Sequence, residues 1–99
     1  MARIELAPEV LEDFDRFFDH QAQFGIEDTN ERIREIVQAV QVLAHSPLIG
    51  RKVKGRNREL VIGQGSRGYV ALYRYVKDID TVFILAIRSQ REVGYQRAG

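Results

Sequence analysis

The stretch TVFILAIRSQRE, residues 81–92, decides how the rest of the chain can be arranged. Residues 81–87 are apolar or β-branched at successive positions, which is typical of a strand buried on both faces inside a sheet. Arg88 and Arg91 follow this strand without a break. The arginines either solubilise the strand end, or a rigid strand presents them to a negatively charged partner. Both interpretations are open at this point.

Two further strands are predicted before this one, and a short strand opens the chain. Residues 69–76 are rich in Val and Tyr and are predicted to form a strand that ends shortly before residue 81. Because the connection is short, an antiparallel hairpin with the strand at residues 81–87 is the simplest pairing. Residues 59–63 are predicted to form the strand before them. Alternating apolar side chains predict a first strand at residues 3–7.

Two helices are predicted between the first strand and the others. Pro8 suits the first position of a helix, and Gly25 is its natural C-terminal cap. Asp28 begins the second helix, with Glu31 completing a capping box, and residues 45–47 end it because a residue before proline is steered away from helix. Apolar spacing predicts core-facing stripes at Val10, Leu11, Phe14, Phe17, Phe18 and Phe24, and at Ile33, Ile36, Val37, Val40, Leu43 and Ala44. The order β-α-α-β-β-β predicts an α+β fold, a helical hairpin packed on a small, mostly antiparallel sheet.

Charge is distributed unevenly along the 99 residues, a length expected for a single domain spanning 1–99. Residues 1–49 contain four Lys or Arg and ten Asp or Glu, a net charge of −6, whereas residues 50–99 contain eleven and four, a net charge of +7. This asymmetry predicts contact with a polyanion or an oppositely charged protein. The alternative is that the two halves fold together and the charges solvate two faces. Without cysteine, an apolar leader or a membrane-length segment, the cytoplasm is the expected location, with no membrane partner.

The motifs typical of cofactor and metal sites lack the required context. Residues 63–68 match GxGxxG, but a predicted strand follows them where a dinucleotide site needs a helix, so they are interpreted as a hairpin loop. His20 and His45 stand 25 positions apart, and there is no cysteine. Both histidines lie in the helical half, and no serine occupies a strand-to-helix elbow. The sequence therefore predicts no cofactor, no metal and no nucleophilic triad.

Basic side chains concentrate around the loops and strand ends of the second half, where tyrosines are interleaved with them. They are Arg51, Lys52, Lys54, Arg56 and Arg58 in one predicted loop, then Arg67, Arg74, Arg88 and Arg91, with Tyr69, Tyr73, Tyr75 and Tyr95 among them. Arginine can bind phosphates and carboxylates through two parallel hydrogen bonds, and tyrosine rings can stack on bases. Sequence alone does not place these residues in one contiguous patch.

An ordered set of segments resembles the RelE/ParE family, the toxins of bacterial type II toxin–antitoxin modules, often labelled plasmid stabilisation proteins. The segments are LAHSPLIGR at 43–51, RELVI at 58–62, GYVALYRY at 68–75 and VFILAIRSQRE at 82–92. The resemblance covers roughly residues 3–95. It implies a small cytoplasmic toxin held inactive in a hetero-oligomer with a cognate antitoxin, which is expected to present an acidic, amphipathic segment to the basic half.

The resemblance implies two different targets. RelE-like members cut messenger RNA on the ribosome without metal, using basic residues on the sheet, whereas ParE-like members block DNA gyrase. The strand that carries lysines in RelE-like nucleases reads Leu60-Val61-Ile62 here, which favours the ParE-like branch over the alternatives of a ribonuclease and a degenerate, non-toxic member. No catalytic residue is assigned. The candidates for target binding and toxicity are Arg58, Arg67, Arg74, Arg88, Arg91 and Tyr95.

Overall fold

The computed structural model describes residues 1–24, 29–63, 65, 68–92, 94 and 95. Its elements are β1 (Arg3–Leu6), α1 (Pro8–Phe24), α2 (Thr29–Val40), β2 (Arg51–Lys52), β3 (Arg58–Ile62), β4 (Tyr69–Val76) and β5 (Thr81–Ser89), with 3-10 turns at Gln41–Ala44 and Lys77–Ile79. The predicted succession of strands and helices is confirmed. The predicted cap at Gly25 and the helix start at Asp28 lie outside the described residues.

Within the described residues, five strands form one sheet in the order β1-β5-β4-β3-β2. β1 runs parallel to β5, and the other neighbours are antiparallel. The prediction that the strand beginning at Thr81 lies inside the sheet is confirmed, since β5 has a neighbour on each side. The prediction of a continuous basic loop over residues 51–58 is wrong at its start. There Arg51 and Lys52 pair with Glu59 and Arg58 at the start of β3 and form the edge strand.

The helices cover one face of this sheet. In α1, Val10 and Phe14 are buried against the sheet, and Phe17 packs at the margin. The wider stripe predicted for this helix is wrong at two positions, because Leu11 is 61% exposed and Phe18 is 40% exposed. The buried positions recur at intervals of three or four residues, so the core-facing surface is a narrow stripe.

The second helix tightens before it ends. α2 buries Ile36 and Val40, and the 3-10 turn that continues it buries Leu43 and Ala44, as predicted, whereas Val37 of the same predicted stripe is 36% exposed. The carbonyl of Ala44 accepts a hydrogen bond of 2.7 Å from the amide of Ala2, which ties the start of the chain to the end of the helical layer. Such 3-10 turns are common where an α-helix terminates.

The sheet contributes the other half of the core. Ile62, Tyr69, Ala71, Tyr73, Val82, Ile84 and Ile87 face the helices from β3, β4 and β5. A register shift after Leu72 pairs Tyr73 with Ile84 although Leu72 pairs with Ala86. This bulge lets both Ile84 and Ile87 face the helices although they are three positions apart. None of the described helices is long and apolar enough to cross a membrane.

Candidate functional site

The face of the sheet opposite the helices carries a mixture of charged and apolar side chains. Cross-strand partners share a face, so the pairs of Glu59 with Leu72 and of Val61 with Val70 place these side chains away from the helices. Val70 in turn pairs with Arg88 of β5. We call this surface the outer face and define it by Glu59, Val61, Val70, Leu72, Arg74 and Arg88. It brings together three of the strands in the basic half of the chain.

Glu59 is an acid on this basic surface, and it is held from two sides. Arg51 donates to its Oε1 from Nε at 3.0 Å and from Nη2 at 2.7 Å, while the Tyr95 hydroxyl donates to its Oε2 at 2.7 Å. Burial alone raises the pKa of a carboxylic acid, but the hydrogen bonds from Tyr95 and Arg51 outweigh it and lower the pKa of Glu59. Glu59 is therefore a charged, fully engaged carboxylate.

Tyr95 lies over the outer face and joins Glu59 to Arg88. Its hydroxyl binds Glu59, and the Arg88 guanidinium stands over its ring at 5.3 Å from the centroid. Burial and the hydrogen bond to Glu59 raise the pKa of Tyr95 well above its ordinary value. The phenol therefore stays protonated and acts as a hydrogen-bond donor at neutral pH.

The side chain of Arg88 is half-buried against the protein, whereas the side chain of Arg91 is exposed. Arg88 Nη1 donates to the carbonyls of Ser89 and Glu92, each at 3.3 Å, and the side chain is half-buried. Its Nε is buried and has no hydrogen-bond partner among the residues that the structure describes. Arg91 is exposed, and its backbone amide donates to Ser89 Oγ at 3.2 Å. The two arginines of the strand end thus have different surroundings.

A second polar cluster ties the end of β5 to helix α1. Asp13 is 1% exposed, and its Oδ1 accepts from Arg16 Nη1 at 2.7 Å while its Oδ2 accepts from the amide of Ile87 at 2.9 Å. Arg16 also binds both carboxylate oxygens of Glu92, from Nε at 2.8 Å and Nη2 at 3.0 Å. The Nη2 group further donates to the carbonyl of Ile87 at 3.2 Å.

This cluster lies beside the last part of β5, which has no neighbouring strand on the side of β1 within the described residues. β1 ends at Leu6, which pairs with Ile84, so its pairing with β5 stops before Ile87. Backbone polar groups that are buried without a partner are costly, and the side chains of Asp13 and Arg16 satisfy both backbone groups of Ile87 instead. Helix α1 therefore continues the hydrogen bonding that β1 begins.

The remaining candidates occupy different places. Arg74 lies on the outer face, where its Nε donates to Asn57 Oδ1 at 2.9 Å and the side chain is exposed. Arg58 pairs with Tyr73 and so lies on the other face, where its Nη1 binds the carbonyls of Leu48 at 3.1 Å and Gly50 at 2.8 Å. Arg67 lies outside the described residues. The outer face thus brings together Arg74, Arg88 and Tyr95, whereas Arg91 lies in the turn that follows β5.

Sequence reasoning did not single out Asp13, Arg16 or Glu59, although signals for two of them exist. Asp13 stands beside Phe14 and three positions after Val10, within the apolar stripe, where a solvated acid is out of place. Glu59 is the one carboxylate between residues 50 and 77, in a strongly basic stretch. An isolated acid in either setting indicates a buried or paired group. No comparable signal marks Arg16.

The chemistry open to this site is recognition of anionic groups. Guanidinium groups at Arg74, Arg88 and Arg91 can bind carboxylates or phosphates. Among the described residues, no three His, Asp or Glu side chains are grouped so as to hold a metal ion.

Comparisons with known proteins identify relatives of this chain. Residues 4–94 match the family described as ParE toxin of type II toxin-antitoxin system, parDE. The fold is similar to a structure of the chromosomal ParDE TA system from P. aeruginosa, with a TM-score of 0.72 and 22% identity over 90% of this chain and 96% of that chain. It is also similar to the intact E. coli RelBE toxin-antitoxin complex, with a TM-score of 0.62 and 17% identity over 93% of this chain and 100% of that chain. No curated protein sequence matches. These similarities confirm the predicted fold, two helices packed on a mixed sheet.

Proposed function

The chain belongs to the ParE toxins of type II toxin–antitoxin systems, and we propose that it acts in the cytoplasm by inhibiting DNA gyrase and is neutralised by a cognate antitoxin. The family assignment covers most of the chain and supports a toxin. The choice of target rests on the chemistry of the outer face.

The state of Glu59 and Tyr95 is the observation that carries this choice. Cleavage of RNA without metal needs one group to take the proton of the 2′-hydroxyl and another to stabilise the charge on the phosphate. Glu59 has a lowered pKa and is occupied by Arg51 and Tyr95, so it is a weak proton acceptor. The Tyr95 phenol, with its raised pKa, is protonated. Binding a protein target requires neither a proton acceptor nor a group that stabilises the charge on a phosphate.

The proposed contact surface for gyrase comprises the arginines of the outer face and Arg91 in the turn after β5. Arg91 is exposed and free of side-chain hydrogen bonds among the described residues, so it can reach a target without leaving an internal partner. Arg74 is exposed on the outer face, and the Arg88 guanidinium packs over the Tyr95 ring. Arg67 remains a candidate from its sequence position. Charge-assisted contacts of this kind typically supply specificity and association rate.

The proposed antitoxin contact uses the basic half of the chain. The +7 charge of residues 50–99 is complementary to an acidic segment. On the outer face, Val61 is 50% exposed beside these charges, which matches the apolar side of an amphipathic segment. Such a segment folds on binding and offsets its ordering entropy by apolar burial. The fold is similar to those of a ParDE system and a RelBE toxin-antitoxin complex, which supports a hetero-oligomer of toxin and antitoxin.

The test uses purified protein in two reactions. In a gyrase supercoiling assay, the wild-type chain should inhibit the enzyme in proportion to its concentration, and Arg91→Ala should inhibit it far less. In a reaction with ribosomes and messenger RNA, neither protein should cut the RNA. In cells, induction should cause filamentation and a DNA-damage response.

Two results would redirect the proposal. Codon-specific cuts in messenger RNA soon after induction would assign the chain to the ribonuclease alternative. Absence of any growth effect would assign it to the degenerate, non-toxic alternative. Co-expression with the product of the adjacent gene should yield a stable complex, and failure to do so would count against neutralisation by a cognate antitoxin.

A further inference from the structure

The turn after β5 is closed internally by Ser89 and Glu92. The amide of Glu92 donates to the carbonyl of Ser89 at 3.1 Å, and the amide of Ser89 donates to Glu92 Oε2 at 3.3 Å. The amide of Arg91 donates to Ser89 Oγ at 3.2 Å, and Arg88 Nη1 binds the carbonyl of Glu92. The backbone that carries Arg91 is therefore fixed relative to the carboxylate of Glu92.

Glu92 is in turn fixed to helix α1 by Arg16. The two N–H···O bonds between these side chains, at 2.8 and 3.0 Å, form a bidentate pair with defined geometry. Arg16 is itself anchored by the buried Asp13 and by the carbonyl of Ile87. The side chains of the two partners are only 28% and 21% exposed, so the pair is largely shielded from water and its geometry is restrained. Its main consequence is the position of the turn.

We infer that Arg16 and Glu92 are positioning residues for Arg91: they hold the turn of residues 89–92 in the orientation in which the Arg91 guanidinium meets the target. The inference rests on the proposed function, in which Arg91 contacts the target. It assigns to the helical layer a role in target recognition, although no helical residue belongs to the outer face as defined above.

The most direct variant is Glu92→Ala, because it removes the link and leaves the Asp13–Arg16 pair and the contacts of Ile87 in place. Arg16→Lys is the second variant, since lysine keeps the charge beside buried Asp13 but cannot form the bidentate pair. Glu92→Gln is the intermediate variant, because its single amide oxygen can keep one hydrogen bond from Arg16 but cannot form the bidentate pair. Glu31→Ala is the matched control, since it removes one negative charge from an exposed pair on α2.

The potency of each purified variant is measured as the concentration that halves gyrase supercoiling, and toxicity on induction is measured alongside. We expect Glu92→Ala and Arg16→Lys to weaken potency about tenfold, a coupling typical of residues in one hydrogen-bond network. Glu92→Gln should lose less potency than Glu92→Ala, and Glu31→Ala should match the wild type. In an Arg91→Ala background, Glu92→Ala should change residual potency less than about twofold, because the side chain that it positions is absent.

A readout that does not depend on the target is the backbone order of the turn. The ¹⁵N heteronuclear NOE of the Ser89, Gln90 and Arg91 amides should fall in Glu92→Ala and stay unchanged in Glu31→Ala. If these amides remain as ordered as in the wild type, the inference is overturned.

The inference and the proposed function fail in different ways. If Arg91→Ala weakens potency but Glu92→Ala does not, or if Glu92→Ala weakens it equally in both backgrounds, Glu92 does not act through Arg91. If Arg91→Ala is as potent and as toxic as the wild type, the contact surface under the proposed function is wrong, and the positioning role is lost with it. If the chain is toxic without inhibiting gyrase, the variants are compared by their toxicity on induction in place of their potency against gyrase. Only the identity of the target then changes.

Discussion

An added side chain has no room at Gly50. A Cβ built there would lie 2.6 Å from both Cε1 and Oη of Tyr73, and 2.7 Å from the carbonyl oxygen of Glu59. The Gly50 amide also donates to Tyr73 Oη at 2.9 Å, in a buried setting. Tyr73 is fully buried in the core, and the carbonyl of Glu59 belongs to strand β3, so neither can move freely. Gly50→Ala therefore perturbs the core and the start of the basic edge strand together.

The expected cost follows from these contacts. Relief of the overlap requires a shift of about 0.8 Å, from 2.6 Å to the ordinary contact distance of 3.4 Å. Overpacking of this kind costs about 1–3 kcal/mol, and a displaced buried N–H group costs about 1–3 kcal/mol more. Alanine also lowers the conformational entropy of the unfolded chain, which offsets about 0.4–1 kcal/mol of this destabilisation. We expect Gly50→Ala to lower the free energy of unfolding by about 2–4 kcal/mol, with the unfolding temperature lower by about 10–30 °C.

Denaturant unfolding of the purified protein measures this change, and Gly94→Ala is the control. Nothing lies within 4 Å of a Cβ at Gly94, so its substitution should change the free energy of unfolding by less than about 0.5 kcal/mol. Tyr73→Phe removes the hydroxyl that accepts the Gly50 amide, and should cost about 1–3 kcal/mol by itself. The double variant should cost less than the sum, because the two changes share one contact. If Gly50→Ala is as stable as Gly94→Ala, the packing described around Tyr73 is wrong.

Three further predictions concern the outer face and the turn after β5. Arg91→Ala should abolish or sharply weaken toxicity on induction, while the free energy of unfolding changes by less than about 0.5 kcal/mol. Arg88→Ala should also lose the packing of its guanidinium on Tyr95, which costs about 1 kcal/mol. If Arg91→Ala is fully toxic, that arginine only solubilises the strand end. Tyr95→Phe should lower the free energy of unfolding by about 1–3 kcal/mol, because it leaves the buried carboxylate of Glu59 without one donor; an unchanged denaturation curve would contradict this hydrogen bond. The pKa of Glu59 is lower in the folded state than in the unfolded state, so its stabilising contribution is complete above the unfolded pKa and is lost as pH falls through the folded pKa. The free energy of unfolding should therefore fall at acidic pH, and Glu59→Gln should remove that part of the pH dependence.

The parts of the fold that sequence predicted are those with a strong local signal. β5 was predictable as an interior strand because residues 81–87 are apolar on both faces, and both helices have periodic apolar stripes. Strand β2 was not predictable, because its two basic residues become a strand only by pairing with β3. Leu11 and Phe18 were placed in the core because spacing gives the direction of a stripe more reliably than its width.

The sequence nominates the arginines and tyrosines of the candidate site, but it does not give their arrangement or their acidic partners. The sequence indicated that arginines and tyrosines carry the function, yet contacts between residues far apart in the chain decide their surroundings. Tyr95 meets Glu59 only because the chain after β5 turns back across the outer face. Arg88 and Arg91 have equivalent positions in the sequence pattern, but the ring of Tyr95 covers one of them and solvent surrounds the other.

The order in the turn after β5 bears on why arginines follow a buried strand. Fixing the backbone costs about 1–2 kcal/mol per residue, so a strand end that served only solubility would be more stable with residues 89–92 left free. Instead, Ser89 and Glu92 close this turn, and Arg16 attaches it to a helix through a bidentate pair. These bonds offset the entropy of ordering a segment whose most exposed charged side chain is Arg91. A fixed backbone beneath an exposed arginine loses little entropy when that arginine binds a partner, and such preorganisation favours the interpretation that the strand presents Arg91.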